Sequence, residues 1–215
     1  MSDFLPLFPL PNVVLFPNVF LPLHIFEPRY REMVADATTG ERMIGMVLLR
    51  QGWDRDYEGT PPVYPVGCSG VITHVEALAD GRFNIVLRGL ERFRIVEEDR
   101  ARSYRRAIAE PVFEQPLRSD DRTAIRKQRS KLEALLAPAV ERAGVLRPGA
   151  EIRMPAAMSD EDLVNALAQY LDLEALEKQA LLEKPCLRTR AESLVELLEM
   201  KIMMARTPGL SNVAH

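Results

Sequence analysis

The sequence predicts an α+β protein in which a β-rich domain over residues 1–117 precedes an α-helical bundle over residues 118–206. Three observations lead to this prediction. The first thirty residues are an apolar run that prolines interrupt repeatedly, and short stretches of alternating apolar and polar residues continue to residue 113. From residue 119 onward, apolar residues recur at helical spacing. Residues 207–215 are expected to form a frayed tail.

The proline-rich opening cannot form one long helix, because proline lacks a backbone N–H and blocks helix interiors. Its prolines stand at positions 6, 9, 11, 17, 22 and 28. The residues between them are mostly strand formers, and prolines within strands favour sheet edges. We therefore expect two extended segments, residues 4–10 and 13–25, at the edge of a sheet. The opening lacks the basic start and the cleavage site of a secretory signal, so we expect it to stay and fold.

One helix and several short strands make up the rest of the first half. Pro28 is suited to begin a helix and Gly40 to end it. A polar loop is expected over residues 50–65, a hairpin turn at Asp80-Gly81 and a second turn at Gly89. Short strands with tight turns favour a small mixed barrel over a parallel sheet. The predicted strands are residues 43–49, 66–78, 83–88, 93–95 and 104–113.

Helical periodicity dominates the second half. The segment Ser119-Asp120-Asp121 and the residue Ser159 are each suited to cap a helix, because a hydroxyl or carboxylate oxygen can accept from a free N–H of the first turn. Pro138 is expected to bend or end the first helix, and residues 144–158 to form a break. A short helix near residues 173–181 is expected before Pro185, and a last helix with a leucine stripe after it.

Composition and charge describe an ordinary globular protein. The chain has 215 residues, of which 47% are hydrophobic and 27% charged, and its formal net charge is −3. No apolar stretch approaches the ~20 residues that span a bilayer, so we expect no membrane partner. The negative balance disfavours nucleic acid. Cys68 and Cys186 are too isolated for a disulfide framework, which favours the cytoplasm.

Several segments occur in an order that is typical of one known family. They are PLFPLPNVVLFPNVFLPLHIFEPRYREMV, then IGMVLL, then VGCSGVITHVEALADGRFNIVLRGLERFRI, and finally DLVNALAQYLDLEALEKQALLE. Their order resembles the N-terminal substrate-binding domain of Lon proteases and covers nearly the whole chain. The resemblance implies a PUA-like β pseudo-barrel packed against helices, and a role in binding polypeptide substrates.

Lon proteases carry an ATPase module and a Ser-Lys peptidase module after this region, and the sequence has the signature of neither. It contains no G-x-x-x-x-G-K-[ST] loop to hold phosphates, and none of its five lysines is suitably placed for a dyad with a serine. We therefore expect a free-standing Lon-type substrate-binding protein that is not an enzyme and needs no cofactor. It would act as a client binder, or as an adaptor for a separate ATP-dependent protease.

The histidine and cysteine residues give only weak support for a metal site. Cys68 and His74 lie six residues apart on one predicted strand and should share a face. Together with His24, His215 and Cys186 they lack the close-spaced ligand pairs of zinc sites, so a small buried Cys68 is preferred and no metal is expected. No base with an orienting third group accompanies these residues, so catalysis is not expected either.

An arginine-rich stretch raises RNA binding as the alternative function, since PUA-like folds include RNA binders. Acidic residues are interleaved with these arginines, which favours solvated strands linked by salt bridges. The arginines are Arg88, Arg92, Arg94, Arg100, Arg102, Arg105 and Arg106.

Three places are candidates for contact with unfolded or exposed apolar polypeptide segments. The helix start combines the apolar Phe26 with the charged Glu27 and Arg29. The 50–65 loop carries aromatic residues, which either anchor a ligand or close the end of the barrel. These aromatic residues are Trp53, Tyr57 and Tyr64. Methionines at 200, 203 and 204 either form an adaptable surface or pack in the core. Binding could also add a strand to an exposed sheet edge.

Overall fold

The computed structural model describes residues 4–56, 59–142 and 158–206. Within these residues the chain divides between Phe113 and Glu114 into two compact units, here called the N-terminal and the C-terminal unit. The N-terminal unit contains a six-stranded sheet and one α-helix, and the C-terminal unit contains four α-helices. The predicted α+β fold class is confirmed.

The strands of the N-terminal unit are β1 (Leu5–Leu10), β2 (Phe20–Ile25), β3 (Met43–Leu48), β4 (Val66–Ala77), β5 (Phe83–Asp99) and β6 (Arg106–Pro111). They form one sheet with the order β2-β5-β4-β3-β1-β6, and β6 also pairs with β5. All of these pairs are antiparallel except β1 with β3, which is parallel. Because β5 pairs with both β4 and β6, hydrogen bonds join five strands into a closed ring, and β2 lies outside it.

The predicted turn at Gly89 is wrong, because β5 runs through this residue without interruption. Gly89 instead allows a close approach of two backbones. A Cβ atom at this position would lie 2.0 Å from the carbonyl oxygen of Phe16. The Gly89 amide donates to the Val19 carbonyl, and its own carbonyl accepts from the Asn18 amide, both at 2.9 Å. Glycine is therefore required by the crossing segment rather than by a turn.

The predicted extended segment over residues 13–25 is only partly correct, because β2 begins at Phe20. Asn18 has a φ angle of 61°, in the left-handed region that asparagine tolerates better than most residues. It follows Pro17 and redirects the chain immediately before β2. Val14, Leu15 and Phe16 are buried, so this segment belongs to the core without being a strand.

Helix α1 (Pro28–Thr39) begins and ends as predicted, with Pro28 in its first turn and Gly40 at its C-terminal cap. The Gly40 amide donates to the Ala37 carbonyl at 3.1 Å, which satisfies one of the last carbonyls of the helix. One face of α1 buries Tyr30, and the Tyr30 ring packs 4.5 Å from the ring of Phe8 in β1. This contact fixes the start of α1 against the sheet.

The C-terminal unit consists of α2 (Ser119–Arg142), α3 (Asp160–Tyr170), α4 (Ala175–Leu182) and α5 (Leu187–Arg206). Ser159 caps α3 as predicted, since its hydroxyl accepts from the Asp162 amide at 3.0 Å. Ser119 is not a cap: it is the first residue of α2, and the Asp121 carboxylate accepts from the Arg118 amide at 2.8 Å.

Helix α2 continues past Pro138, so the expectation that it could end there is wrong. A proline has no backbone N–H, so one hydrogen bond of the helix is lost there. The backbone hydrogen bonds of the neighbouring residues can still maintain the helix. The predicted break over residues 144–158 lies almost wholly outside the described residues, as does the tail over 207–215. Among the described helices, none combines the length and apolar character needed to cross a membrane.

Arg190 is the centre of a buried polar cluster in the C-terminal unit. Its side chain is fully buried, and its Nε donates to the Leu181 carbonyl at 3.2 Å. Its Nη1 donates to Asn165 Oδ1 at 3.1 Å, and its Nη2 pairs with the Glu114 carboxylate. One guanidinium thereby connects α3, the end of α4, α5 and the first residue of the unit.

Candidate functional site

An exposed strip runs along β2 and is called the β2 strip: Phe20, Pro22, His24 and Phe26. Side chains alternate between the two faces of a strand, so these four residues share the outer face while Ile25 is buried. Phe20 is 50% exposed and Phe26 is 60% exposed. Two large aromatic residues on one exposed face form an apolar surface of the kind that marks interaction sites.

β2 is an edge strand, since among the described strands it alone has a single partner. The Val19 carbonyl points toward β5, since it accepts from the Gly89 amide. Backbone groups of every second residue point to the same side of a strand, so those of Leu21, Leu23 and Ile25 also point toward β5. Pro22 therefore lies at an outward-pointing position and offers no N–H there. A strand added at this edge would lose one ladder bond, so the side chains of the strip are better suited to binding than its backbone.

A hydrogen-bonded network holds His24 in the middle of the strip. The Glu76 carboxylate accepts from Asn84 Nδ2 at 2.7 Å, so Asn84 Oδ1 faces His24 Nδ1 at 2.8 Å. On the other side of the ring, Arg82 Nη1 lies 3.2 Å from His24 Nε2. Hydrogen bonds from Arg82 also hold the pKa of the Asp80 carboxyl below its ordinary value. The network orients the imidazole ring.

Phe26 leads directly into the charged start of α1. Glu27 occupies the N-cap position but makes no capping bond with its side chain. Its carboxylate instead accepts from Arg29 Nε at 3.1 Å and lies 3.0 Å from Arg29 Nη2. The Arg29 guanidinium also lies 4.7 Å from the centre of the Tyr30 ring. The predicted contact residues Phe26, Glu27 and Arg29 are therefore neighbours at one corner of the N-terminal unit, where Phe26 is exposed and the side chains of Glu27 and Arg29 are largely covered.

The aromatic residues of the 50–65 loop lie in different settings. Trp53 begins a single turn of 3-10 helix, Trp53–Asp56, and is half-buried. Tyr57 lies outside the described residues. Tyr64 is half-buried beneath the Arg50 guanidinium, 5.2 Å from its ring centre, and its amide donates to the Leu48 carbonyl at 2.8 Å. These contacts hold Tyr64 against the end of β3.

A cavity of about 150 Å³ brings the α1 start and the loop together, and is called the arginine pocket. It is lined by Arg29, by loop residues 59–61 and by the turn that joins β5 to β6, where three more arginines lie. Trp53 and Tyr64 are not among the lining residues. The three arginines of the turn are Arg100, Arg102 and Arg105.

The arginine-rich stretch contains the cross-strand ion pairs that the alternation of charge predicts. Arg105 donates from Nε and Nη2 to the two carboxylate oxygens of Glu98, at 2.8 and 2.6 Å. Arg106 stands opposite Asp99 in the ladder and donates to it from Nε at 2.7 Å. This hydrogen bond holds the pKa of Asp99 below its ordinary value. The pairs favour the salt-bridge interpretation over a continuous phosphate-binding face.

Cys68 and His74 do not share an environment, contrary to the expectation from their spacing. Between Ile72 and His74, β4 advances two residues while its partner β5 advances one, so β4 carries an extra residue there and the face that the following residues occupy changes. Cys68 is fully buried, whereas His74 is exposed. Within the described residues, no group of three or more His, Cys, Asp or Glu side chains is placed to hold a metal ion.

The methionines of α5 are exposed rather than packed in the core. Met203 and Met204 are 63% and 64% exposed, and Met200 also reaches solvent. Met200 lines a groove between α4 and α5 in the C-terminal unit, together with the exposed Leu176. Of the two alternatives for these three residues, packing in the core is therefore wrong, because the leucine stripe of α5 supplies the buried face.

Sequence reasoning missed Phe20 and the arginine pocket. The alternation from residue 20 to 26 was visible, but Leu21, Leu23 and Ile25 are as apolar as Phe20 and Phe26, so either face could have been the buried one. The chemical difference between the faces, aliphatic on one and aromatic with proline and histidine on the other, is the signal that could have identified it. The pocket has no such signal, because its residues come from distant parts of the sequence.

Comparison with known proteins gives consistent matches. The family model for the "ATP-dependent protease La (LON) substrate-binding domain" matches residues 4–200. Lon protease 2 of Myxococcus xanthus is 27% identical over 197 residues, covering 92% of this chain and 24% of the relative. The Lon protease of Anaeromyxobacter dehalogenans is also 27% identical, over 92% of this chain and 23% of the relative. The chain thus spans about a quarter of the length of these curated relatives.

Two solved structures share the fold. A Lon N-terminal domain protein from Xanthomonas campestris superposes with a TM-score of 0.59 at 24% identity, covering 90% of this chain and 97% of that one. The N-terminal domain of a Mycobacterium avium complex Lon protease gives a TM-score of 0.65 at 17% identity, with coverages of 91% and 98%. At these identities the comparison concerns the fold alone.

Proposed function

This chain belongs to the family of ATP-dependent protease La (LON) substrate-binding domains, and from that membership we propose that its N-terminal unit binds exposed apolar segments of other polypeptides at the β2 strip. One observation carries the proposal: Phe20 on the edge strand β2, and Phe26 directly after it, each expose half or more of their surface. An unfolded client presents apolar side chains that can cover this surface.

The expected affinity is modest. Complete burial of a phenylalanine side chain contributes ~1.5–3 kcal/mol, and about half of each ring is already covered by the unit itself. The two rings together therefore supply roughly 2–3 kcal/mol, to which Pro22 and the face of His24 add smaller areas. Binding of this strength is reversible and tolerant of sequence, which suits a surface that must meet many different unfolded segments.

The contact surface is proposed to extend beyond the strip. A ligand that continues past Phe26 meets the ion pair of Glu27 and Arg29. Trp53 and Tyr64 are proposed as flanking aromatic contacts; Tyr57 is proposed with them on its sequence position alone. Trp53 is the single tryptophan of the chain, so a change in its fluorescence on adding ligand would report directly whether the ligand reaches the loop.

The test is a fluorescence anisotropy titration with a dye-labelled, permanently unfolded model protein, for example a reduced and alkylated lactalbumin. Wild-type protein is expected to bind with a Kd below ~100 μM. Replacing Phe20 and Phe26 together by serine should weaken binding by more than about tenfold, since the ~2–3 kcal/mol that the two rings supply exceeds the ~1.4 kcal/mol that corresponds to a factor of ten. The matched control is Val96→Ser, because Val96 is 54% exposed on β5 outside the strip.

Two outcomes would count against the proposal. The first is no binding by the wild-type protein at ~100 μM. The second is an equal loss of affinity in Val96→Ser and in the double serine variant, which would mean that general surface hydrophobicity is being measured. Folding of each variant is checked by circular dichroism before the titration.

We further propose that the protein binds clients without cleaving them, either alone or as an adaptor for a separate ATP-dependent protease. The matched family describes a substrate-binding domain, which supports the binding part of this proposal. Incubation with casein, with and without ATP, should yield no fragments. An adaptor would also increase the rate at which a co-purifying protease degrades the labelled client, whereas a pure client binder would slow it.

A further inference from the structure

The arginine pocket is positively charged on the side that faces its cavity. Among the described residues, four arginines line the cavity, and the one acidic residue that lines it, Asp99, is held by hydrogen bonds from Arg106. Arg29 and Arg105 direct part of their hydrogen-bonding capacity to Glu27 and Glu98. The described lining itself therefore presents more guanidinium groups than carboxylates to an anion in the cavity.

Arg100 and Arg102 retain hydrogen-bond donors for such an anion. Within the described residues, neither guanidinium makes a hydrogen bond. Arg102 Nη1 lies 3.6 Å from Asp36 and 3.8 Å from Glu32, distances that permit attraction but exceed those of hydrogen bonds. A guanidinium carries five N–H donors in a planar fork that matches the two oxygens of a carboxylate.

Part of the cavity wall is apolar. It consists of buried side chains from the end of β1, the start of α1, the end of β3 and the loop: Pro9, Tyr30, Leu49 and Pro61. A volume of about 150 Å³ is comparable to that of an engineered cavity that holds one benzene molecule. The cavity thus has room for one aliphatic side chain beside an anionic group, and a free phosphate would leave the apolar wall uncovered.

We propose that the arginine pocket binds the C-terminal residue of a polypeptide, with the α-carboxylate on Arg100 and Arg102 and an aliphatic side chain on the apolar wall. Among the groups of a polypeptide, the C-terminus is where a carboxylate and a side chain branch from the same carbon, which is the pairing this cavity offers. Capture of a terminal carboxylate is a known mode of peptide recognition.

The pocket deepens the function proposed above, and in that respect rests on it. Phe26 of the β2 strip and Arg29 of the pocket are three residues apart, so their Cα atoms are separated by at most ~11 Å. A polypeptide with its end in the pocket could therefore reach the strip within a few residues. The ligand class becomes unfolded polypeptides with an aliphatic C-terminal residue, held more tightly than internal apolar segments.

The test compares two versions of one labelled apolar peptide that ends in leucine, one with a free carboxylate and one with a C-terminal amide. Wild-type protein is expected to bind the free acid about tenfold more tightly. The ratio should fall to about one in the double variant Arg100→Ala, Arg102→Ala. It should persist in Arg94→Ala, Arg126→Ala, which removes the same charge from exposed arginines outside the pocket. Equal affinities for acid and amide, or a ratio that the pocket variant leaves unchanged, would overturn the proposal.

A second measurement keeps the pocket distinguishable from the β2 strip. N-acetyl-leucine should shift the arginine side-chain NMR signals of the wild-type protein, whereas N-acetyl-leucinamide and inorganic phosphate should not. The double serine variant at Phe20 and Phe26 should respond to N-acetyl-leucine as the wild type does, even if it no longer binds the unfolded protein. An equal response to phosphate would identify a general anion site and overturn the assignment to a C-terminus.

Discussion

Arg82 and His24 are joined by a hydrogen bond of 3.2 Å between guanidinium Nη1 and imidazole Nε2. A guanidinium can only donate, so Nε2 is the acceptor and carries no proton. The ring proton then lies on Nδ1, where it is donated to Asn84 Oδ1 at 2.8 Å. In a neutral ring, the arrangement therefore selects the tautomer with its proton on Nδ1.

This relationship predicts the tautomer of His24. Long-range ¹H–¹⁵N correlation spectra at pH 8 should show the Nδ1–H form, because Arg82 and Asn84 impose it from opposite sides of the ring. Arg82→Ala should remove the preference. His74 is the internal control, since it is exposed on β4 and makes no hydrogen bond within the described residues. An Nε2–H form at His24 in the wild-type protein would contradict the network.

Gly89 provides a stability prediction. In Gly89→Ala, the new Cβ would lie 2.0 Å from the Phe16 carbonyl oxygen, so one of the two segments must move. Overpacking typically lowers the free energy of unfolding by ~1–3 kcal/mol. We expect a loss at the upper end of this range, because the neighbouring atom belongs to the backbone and cannot rotate away. The matched control is Gly40→Ala, where the nearest atom would be 3.7 Å away. Urea unfolding followed by Trp53 fluorescence measures both, and equal midpoints would contradict the close approach.

Gly89 also shows why helices were easier to predict than strands. The ends of α1 and α3 are set by Pro28, Gly40 and Ser159, which act on their own turn and are recognisable locally. The role of Gly89 depends on Phe16, which is distant in the sequence and arrives only when the fold forms. Local turn chemistry and a distant close approach both select glycine, and one sequence does not separate them.

The same reasoning applies to the candidate site. The sequence itself indicates that Phe26, Glu27 and Arg29 share one corner of the unit, because they lie within four positions of one another. The arginine pocket combines that corner with residues 59–61 and with Arg102 from the turn between β5 and β6, and this combination follows from the closure of the strand ring. Exposure of Phe20 likewise follows from the position of β2 outside the ring.

The environment of Tyr104 predicts that the folded protein loses stability at high pH. Its hydroxyl donates to Asp36 Oδ2 at 2.8 Å. Burial, together with this bond to a carboxylate, raises the pKa of Tyr104 to about 12. In the unfolded chain a tyrosine ionises near pH ~10, so the unfolded state releases its proton first as the pH rises. The contribution of Tyr104 is therefore complete below pH ~10 and is lost between pH ~10 and ~12.

Two measurements check this prediction. The difference between the ultraviolet pH titrations of wild-type protein and Tyr104→Phe should show one tyrosine ionising near pH 12. At neutral pH, Tyr104→Phe should lower the free energy of unfolding by ~1–2 kcal/mol, because one hydrogen bond to a half-exposed carboxylate is lost. A Tyr104 signal that titrates near pH ~10 would show that the hydroxyl is not held as described.

The buried cluster of the C-terminal unit provides the last prediction. Arg190→Ala should destabilise the protein by ~3–5 kcal/mol, because it leaves Glu114 and Asn165 without the guanidinium that satisfies them. Arg188→Ala is the matched control, two residues earlier on α5. Its side chain is 42% exposed and pairs with Asp121 and Glu192, so its loss should cost no more than ~1 kcal/mol.

Urea unfolding, monitored by the helical signal in far-ultraviolet circular dichroism, gives the unfolding midpoint of each variant. A further variant separates charge from packing: Arg190→Met combined with Glu114→Leu removes both charges and keeps the volume, so it should recover part of the loss seen in Arg190→Ala. If Arg190→Ala and Arg188→Ala shift the urea midpoint equally, the guanidinium of Arg190 does not hold α3, α4 and α5 together.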